Sequence, residues 1–440
     1  MNKRDKRTRR RTGWLLAGCL IAWTATAQAQ SSTYTTTTTT TTDEKPQVFV
    51  FAQTVPQEGN FGPEYSPTAR LDIYGFAMLD TGYEANAANP DWFDVARASK
   101  LPSFEGEFGK NGNWFAGVRQ SRLGFKGFLP TSAGLVKTIF EFEMFGVGAD
   151  AGQTTFRLRH AWGELGQFGA GQTWSPYMDP DVWPNSIEYW GPSGMVFFRN
   201  VQLRWTPYQD GGSNLQIALE RPGASGDAGL VSDRVQLQGV KGRFPLPDLS
   251  AHYRFGDKWG HVQLAGIVRD IKWDDNVPDA VNLSGHVTGW GLNLSSNVNL
   301  GKNIIHLQLK YGQGDENYMN DAPADVGPER SGNPLKPRGK ALADHGFLAF
   351  FDANWSDTWT STFGYSYFKV DNSNLQDPSA YKKGQYALAN ILYHPAPNVL
   401  LGPELQWIQR DNFSDGFKSH DFKVQFSAKY SFDFSFGKKS

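Results

Sequence analysis

The chain is poor in several things that a protein of its size usually carries. Of its 440 residues one is cysteine, Cys19, and it stands in the N-terminal leader. Neither a disulfide framework nor thiol chemistry is open to the rest. Long apolar runs are scarce as well. Mean hydropathy is -0.48, and only the N-terminus approaches the length of a membrane-spanning helix, which excludes a helical membrane protein. A basic excess is missing, with 43 Lys and Arg against 44 Asp and Glu, so the balance gives no footprint for nucleic acid. Hydrolytic spacings are missing too. The eight histidines (His160, His252, His261, His286, His306, His345, His394 and His420) fall in no GxSxG or HExxH motif, and no EF-hand or phosphate loop is present. Three loop acids, Asp315, Glu316 and Asp321, could take calcium, but such groups are ordinarily solvated. The expectation is a protein that is no enzyme and has no cofactor or metal.

What the chain has instead is aromatic residues at 14% and 47 glycines. Its first segment is an export signal. Lys3, Arg4, Lys6, Arg7, Arg9, Arg10 and Arg11 form a basic head, Gly13 to Ala25 an apolar core, and Ala27-Gln28-Ala29 a small-x-small cleavage site. Residues 1–29 are therefore read as a signal peptide. Leu16-Ala17-Gly18-Cys19 also matches a lipobox, but that reading leaves only Gly13 to Leu15 as the apolar core. Removing the seven basic residues with Asp5 takes the net charge from -1 to about -7, which suits an exported, mildly acidic protein.

Residues 30–69 carry the unbroken run Thr35 to Thr42, then Pro46, Pro56, Pro63 and Pro67. Low complexity and proline predict a disordered extension, with a cell-wall-binding or spacer role as the alternative. From residue 70 to 440 the pattern changes to strands and turns.

The last strand is the plainest. Phe422, Val424, Phe426, Ala428, Tyr430, Phe432, Phe434 and Phe436 alternate with Lys423, Gln425, Ser427, Lys429, Ser431, Asp433 and Ser435. Period two gives one apolar and one polar face. A run this long suits a tilted membrane strand of about 9–11 residues better than a soluble strand of about 5–6. Similar alternation predicts strands near Leu71–Gly82, Trp114–Phe128, Gly134–Phe145, Thr154–Glu164, Gln167–Trp174, Arg199–Thr206, Asn214–Arg221 and Leu249–Phe255. The second half adds Gly260–Trp273, Gly285–Asn297, Asn303–Gln313, His345–Trp355, Thr358–Val370, Gly384–His394, Asn398–Gln409 and His420–Phe436. Val231–Phe244 reads either as a further strand pair or as loop. Short turns such as Gly166 and Ser356-Asp357 alternate with long polar segments such as Tyr83–Asn113, Ser175–Phe198 and Gly314–Asp344. An all-β, transmembrane, antiparallel up-and-down barrel of about sixteen strands meets all of this, with short periplasmic turns and long outer loops.

Particular stretches resemble known barrels. Ser121-Arg122-Leu123-Gly124-Phe125-Lys126-Gly127 and Gly134-Leu135-Val136-Lys137-Thr138-Ile139-Phe140-Glu141-Phe142-Glu143 are similar to the second and third strands of trimeric bacterial general porins. Arg159-His160-Ala161-Trp162 and Phe168-Gly169-Ala170-Gly171-Gln172-Thr173 resemble the fourth and fifth. Gly260-His261-Val262-Gln263-Leu264-Ala265-Gly266, Phe363-Gly364-Tyr365-Ser366-Tyr367-Phe368 and Gly402-Pro403-Glu404-Leu405-Gln406-Trp407 look like the narrower group of DcaP-like porins. The resemblance implies a homotrimer in the bacterial outer membrane, among its lipids and lipopolysaccharide. It further implies an inward-folded loop after the fifth strand and a preference for small anions such as dicarboxylates. The final strand resembles the aromatic closing strand through which the barrel-assembly machinery takes up such proteins. The coiled coil that some members carry at the N-terminus has no heptad here.

Strand parity assigns the pore wall. An Arg or Lys facing lipid at mid-depth costs about 2–4 kcal/mol, and almost nothing in a wet lumen. Phe156, Leu158 and Trp162 are assigned to lipid, which turns Arg157, Arg159 and Ala161 inward. The same argument turns Arg122, Lys126, Arg204 and Arg254 inward, with Arg269 and Lys310. The resulting basic ladder (Arg122, Lys126, Arg157, Arg159, Arg204, Arg254) would draw carboxylates. The alternative is that such charges keep the pore wet and brace the inward loop. Glu141, Glu143 and Glu404 are inward acids. Asp179, Asp181 and Glu188 on the loop after the fifth strand are expected to form the acidic side of a constriction facing the ladder. The function expected is diffusion of small hydrophilic solutes, preferentially anions. A channel for sugars or aromatic acids is the alternative suggested by Trp183, Tyr189 and Trp190, and an outer-membrane enzyme or adhesin is a third class.

Overall fold

The computed structural model describes residues 69–437. The segments expected at 1–29 and 30–69 lie outside the described residues, save Ala69. Alternating faces and tight turns give a closed barrel of sixteen antiparallel strands. In chain order they are β1 Arg70–Glu84, β2 Arg122–Thr131, β3 Gly134–Phe145, β4 Thr154–Leu165, β5 Phe168–Trp174, β6 Arg199–Asp210, β7 Ser213–Glu220 and β8 Asp248–Asp257. There follow β9 Gly260–Asp275, β10 Gly285–Leu300, β11 Asn303–Gln313, β12 Ala343–Asn354, β13 Trp359–Asp371, β14 Tyr381–Asn390, continued by Leu392–Ala396, β15 Val399–Asn412 and β16 Lys418–Gly437. Each pairs with its neighbour, and β1 meets β16 from Arg70↔Gly437 to Glu84↔Lys423, which closes the cylinder and leaves no edge.

The two ends differ as expected. At one end the connections are turns such as Gly166-Gln167, Gly211-Gly212 and Gly301-Lys302. Gly166 needs its missing Cβ there, at φ 60°, and Asn398 takes the same left-handed geometry at φ 68°. The other end carries long loops, three of which, 85–112, 175–198 and 314–342, turn back into the barrel.

Alternation is the chief structural fact of the wall. Along β16, Phe422, Val424 and Phe426 are exposed on the outside while Lys423, Gln425 and Ser427 are buried within. Leu264, Leu294 and Leu309 stand in one outward row through the pairs Leu264↔Leu294 and Leu294↔Leu309. Leu294→Arg is expected to destabilise the barrel by about 2–4 kcal/mol in lipid vesicles. Urea unfolding followed by tryptophan fluorescence measures this, and a loss below about 0.5 kcal/mol would place that row out of the bilayer.

Two differences from the expected strands have physical causes, and one open reading is resolved. Trp114–Phe128 is broken into Asn113–Gly117 and β2, because Arg119 leaves the ladder to donate to Asp94 Oδ1 at 2.7 Å and Gln120 to the Ile187 carbonyl at 2.8 Å. In β4 the pairing steps from Glu141↔His160 to Phe142↔Leu158, so Arg159 is an extra residue. The bulge reverses parity beyond it. Trp162 therefore lies inside, 2% exposed and packed with Tyr74, Phe128 and Ile139, rather than against lipid. Val231–Phe244 is mostly loop, with the short strand Val240–Arg243 extending the wall beside β9.

The interior is not simply water-filled. Tyr177, Met178, Val182, Met195 and Val196 of the loop after β5 pack with Ala96, Ala98 and Leu101 of the first loop. Tyr318 and Met319 of loop 314–342 and the inward Leu348, Phe350, Phe368, Tyr386 and Ile408 of the wall complete that core.

Candidate pore constriction

The loop after β5 is held by its own acids. Glu188 is buried and accepts from the backbone N–H groups of Ala96 at 2.9 Å, Trp190 at 2.9 Å and Gly191 at 2.5 Å, and from the Tyr386 hydroxyl at 3.2 Å. Burial pushes this carboxyl above the usual carboxylate range, and those N–H donors partly offset the push. Glu188 thus ties the loop to the first loop and to β14, and does not face the arginines. Glu404, buried on β15, accepts from Ile187 N at 3.0 Å and from Asn390 at 2.9 Å, which fastens the same stretch of loop.

Of the expected basic ladder, Asp179 and Asp181 meet one member, Arg254. Arg254 of β8 donates to Asp181 and lies 3.5 Å from Asp179, while His261 Nε2 and Ser295 Oγ lie 2.7 and 2.6 Å from Asp179. Burial would raise the Asp179 carboxyl, but the hydrogen bond from His261 and the charge of Arg254 hold it well below the usual range. Asp179, Asp181 and His261 come close enough to hold a metal ion, yet Arg254 already supplies the cation. This pairing borders a cavity of about 710 Å³ at the short-turn end, lined also by Tyr208, Lys258 and Asn299.

Three of the remaining basic residues, Arg122 of β2 with Arg157 and Arg159 of β4, gather around the acids Glu141 and Glu143 of β3. Arg159 is sandwiched, with Nε 2.7 Å from Glu141 Oε1 and Nη1 2.5 Å from Glu143 Oε2. Arg122 stands 3.7 Å from Glu141 and 3.4 Å from Glu143. Arg157, the most exposed of the three, is 3.4 Å from Glu143 and 3.3 Å from the hydroxyl of Tyr189, which itself donates to Glu143. The loop therefore meets this cluster through Tyr189, not through a carboxylate. Arg204 and Lys126 also point inward but pair otherwise. Arg204 donates to the Trp174 carbonyl at 2.7 Å and lies 4.7 Å over Trp162, and Lys126 sits 4.9 Å over Tyr74.

Parity missed one member of this group. Arg199 opens β6 on the phase of Val201 and Leu203, which face outward, yet its guanidinium lies 4.6 Å over Trp174 and 5.6 Å over Phe197. Its Nη1 is buried with no hydrogen-bond partner among the described residues. Strand-end residues escape the alternation, so no cue to Arg199 lies in the pattern. Length and polarity also place the first loop among the outer loops, yet it packs into the barrel. Its apolar Trp92, Phe93, Val95, Ala98 and Leu101 were the available signal, since an outer loop would leave them wet.

Aromatic groups of the loop pack among themselves. Tyr189 stacks on Phe145 at 3.9 Å, Trp190 meets Trp92 edge-on at 4.9 Å, and Trp183 packs on Phe197 at 4.9 Å. Arg97 of the first loop caps Trp190 at 3.8 Å and reaches Asp321 at 3.1 Å.

Comparison with known proteins agrees with this architecture. A family model described as DcaP outer membrane protein matches residues 70–432. The outer membrane channel DcaP of Acinetobacter baumannii is 22% identical, with 84% of this chain and 99% of that chain covered and a TM-score of 0.69. The anion-selective porin from Comamonas acidovorans is 11% identical, covering 83% and 100%, with a TM-score of 0.52. Outer-membrane expressed OmpT of Vibrio cholerae is 11% identical, covering 84% and 99%, with a TM-score of 0.51. Likeness at these identities shows the fold alone. No curated protein sequence matches the chain.

Proposed function

The chain belongs to the DcaP outer membrane protein family and is an outer-membrane porin, and on that premise we propose that it passes small hydrophilic solutes by diffusion, anions such as dicarboxylates before cations. One observation carries the preference. Arg122, Arg157, Arg159 and Arg199 stand together against only Glu141 and Glu143, an excess of two positive charges. The acids are engaged by arginines, whereas Arg157 stays 28% exposed at its side chain. A planar guanidinium binds carboxylate through paired hydrogen bonds, which supports a resting place for a passing dicarboxylate. The packed loop aromatics leave less support for a track selecting sugars or aromatic acids.

Three copies are proposed to assemble in the outer membrane, with residues 30–69 on the periplasmic side of the short turns, after removal of 1–29. Insertion is proposed to proceed through the assembly machinery reading β16. Planar-bilayer recording tests the reading. Conductance is expected in steps of three, with a reversal potential in a potassium chloride gradient that has the sign of anion preference. Arg157→Ala with Arg199→Ala, which removes the two excess charges, is expected to bring the chloride-to-potassium permeability ratio towards one. Cation preference in the unaltered protein, or an unchanged ratio in the double variant, would overturn the assignment.

A further inference from the structure

A second group of acids lies away from the constriction, where loop 314–342 joins the wall. Asp315 and Glu316 begin that loop and Asp344 stands at the start of β12. One ligand oxygen from each lies within 4.8 Å of the others. Opposed oxygens around a calcium ion, each at about 2.3–2.6 Å, are at most about 5 Å apart, so the spacing suits that ion.

We propose that Asp315, Glu316 and Asp344 hold a calcium ion that locks loop 314–342 to the wall. The argument begins with charge. Glu316 is 2% exposed, and Asp315 and Asp344 are wholly buried. The single cation among them in the described residues is Lys310, which donates to Asp315 Oδ1 at 2.8 Å and to Asp344 Oδ1. Three carboxylates and one ammonium leave two negative charges in a water-poor place, where each uncompensated ion costs several kcal/mol. A divalent cation balances them.

The hydrogen bonds point the same way. Both oxygens of Glu316, and Oδ2 of Asp344, are buried with no hydrogen-bond partner among the described residues. Among the described residues Glu316 alone has both carboxyl oxygens in this condition, whereas Glu84, Asp181, Glu220 and Asp421 have one such oxygen each. Asp315 Oδ2 accepts from the Tyr177 hydroxyl at 2.8 Å, and Asp325 beside it accepts from Arg269 at 2.7 Å and from Asn317 N at 3.0 Å. A carboxylate with two unengaged oxygens is suited to bidentate coordination. The donor set is oxygen throughout, without the imidazole or thiolate that would favour zinc, and irregular carboxylate sites of this kind favour calcium over the stricter octahedron of magnesium. Tyr177 belongs to the inward loop, so an ion here would fasten that loop, loop 314–342 and β12 at one point. This role is independent of which solute the pore prefers.

The test uses full-length mature protein refolded free of lipopolysaccharide, stripped with EDTA and dialysed against radioactive calcium. About one calcium per chain is expected at millimolar calcium, in the affinity range of extracellular sites. Glu316→Gln with Asp344→Asn should weaken binding at least tenfold, and its urea midpoint should no longer rise with calcium as that of the unaltered protein does. If the variant fails to fold, the unaltered protein still decides, through its calcium stoichiometry and its calcium-dependent midpoint. Absence of bound calcium with an unmoved midpoint would overturn the proposal and assign the balancing charges to protons. Equal binding by the folded variant would overturn it too.

Discussion

Arg269→Met is expected to destabilise the barrel by about 3–5 kcal/mol, the usual result of removing one partner from a buried ionic group. Arg269 stands on β9 with its side chain fully buried, 3.0 Å from Asp248 and 2.7 Å from Asp325. The same guanidinium donates to the Gly314 carbonyl at 2.7 Å and to that of Gly223, and lies 5.1 Å over Tyr318. One planar group thus joins two outer loops to the strand beneath them. Methionine would fill much of the volume but leave Asp248 and Asp325 with neutral donors such as Tyr318 and Asn317 and no cation, and the Gly314 carbonyl without the Arg269 donor. Arg269→Lys keeps the charge yet loses the fork, so a loss between those of methionine and the unaltered protein is expected. Combining Arg269→Met with Asp248→Asn and Asp325→Asn removes the stranded charges and should recover most of the loss. Urea unfolding in vesicles measures all three, and limited proteolysis should cut loop 314–342 faster in the methionine variant. A single variant that loses less than about 1 kcal/mol would mean that water, and not Arg269, satisfies these groups.

The barrel was legible because lipid and interior impose opposite demands on neighbouring side chains. Phe422 and Lys423 could not exchange places without putting an ammonium in hydrocarbon, so β16 is plain from its letters alone. Trp162 was not. One extra residue at Arg159 reverses every face beyond it, and a bulge leaves no mark in a sequence that already mixes polar and apolar residues. Loop direction was equally hidden. The length of 175–198 announces a long connection, but where it goes is fixed by bonds to other elements, such as the Ala96 N–H on Glu188 and the Ile187 N–H on Glu404. Those donors are backbone, and backbone carries no residue identity.

The site was legible only in part, for a related reason. Pairing across a barrel depends on which strands the loop reaches, and Asp179 and Asp181 reach Arg254 of the ladder together with His261. Arg122, Arg157 and Arg159 find their acids on the adjoining β3 instead. Charges that neighbouring strands bring within 4 Å neutralise one another before a distant loop can. Excess charge, not the count of basic residues, is then what a solute meets.

Arg159→Leu should therefore alter stability and permeation together. Its guanidinium fills the gap between Glu141 and Glu143, and both acids are 1% exposed. Arg122 remains 3.4 to 3.7 Å from them and Tyr74 donates to Glu141 at 2.7 Å, so a loss of about 3 kcal/mol is expected, at the low end for a broken buried pair. Glu143 also anchors Tyr189. With Arg159 gone, Arg122 and Arg157 must serve both acids, and Tyr189 loses its fixed partner geometry. The stack on Phe145 at 3.9 Å is then the main restraint on that part of the loop. Two changes are expected in single-channel recording. The conductance should become noisier as the loop loosens, and anion preference should fall as the local excess drops by one charge. Arg159→Lys separates the two effects, since it keeps the charge while losing the paired geometry: noise should rise with selectivity retained. If leucine and lysine change selectivity alike, the net charge of the cluster is not what the passing ion senses.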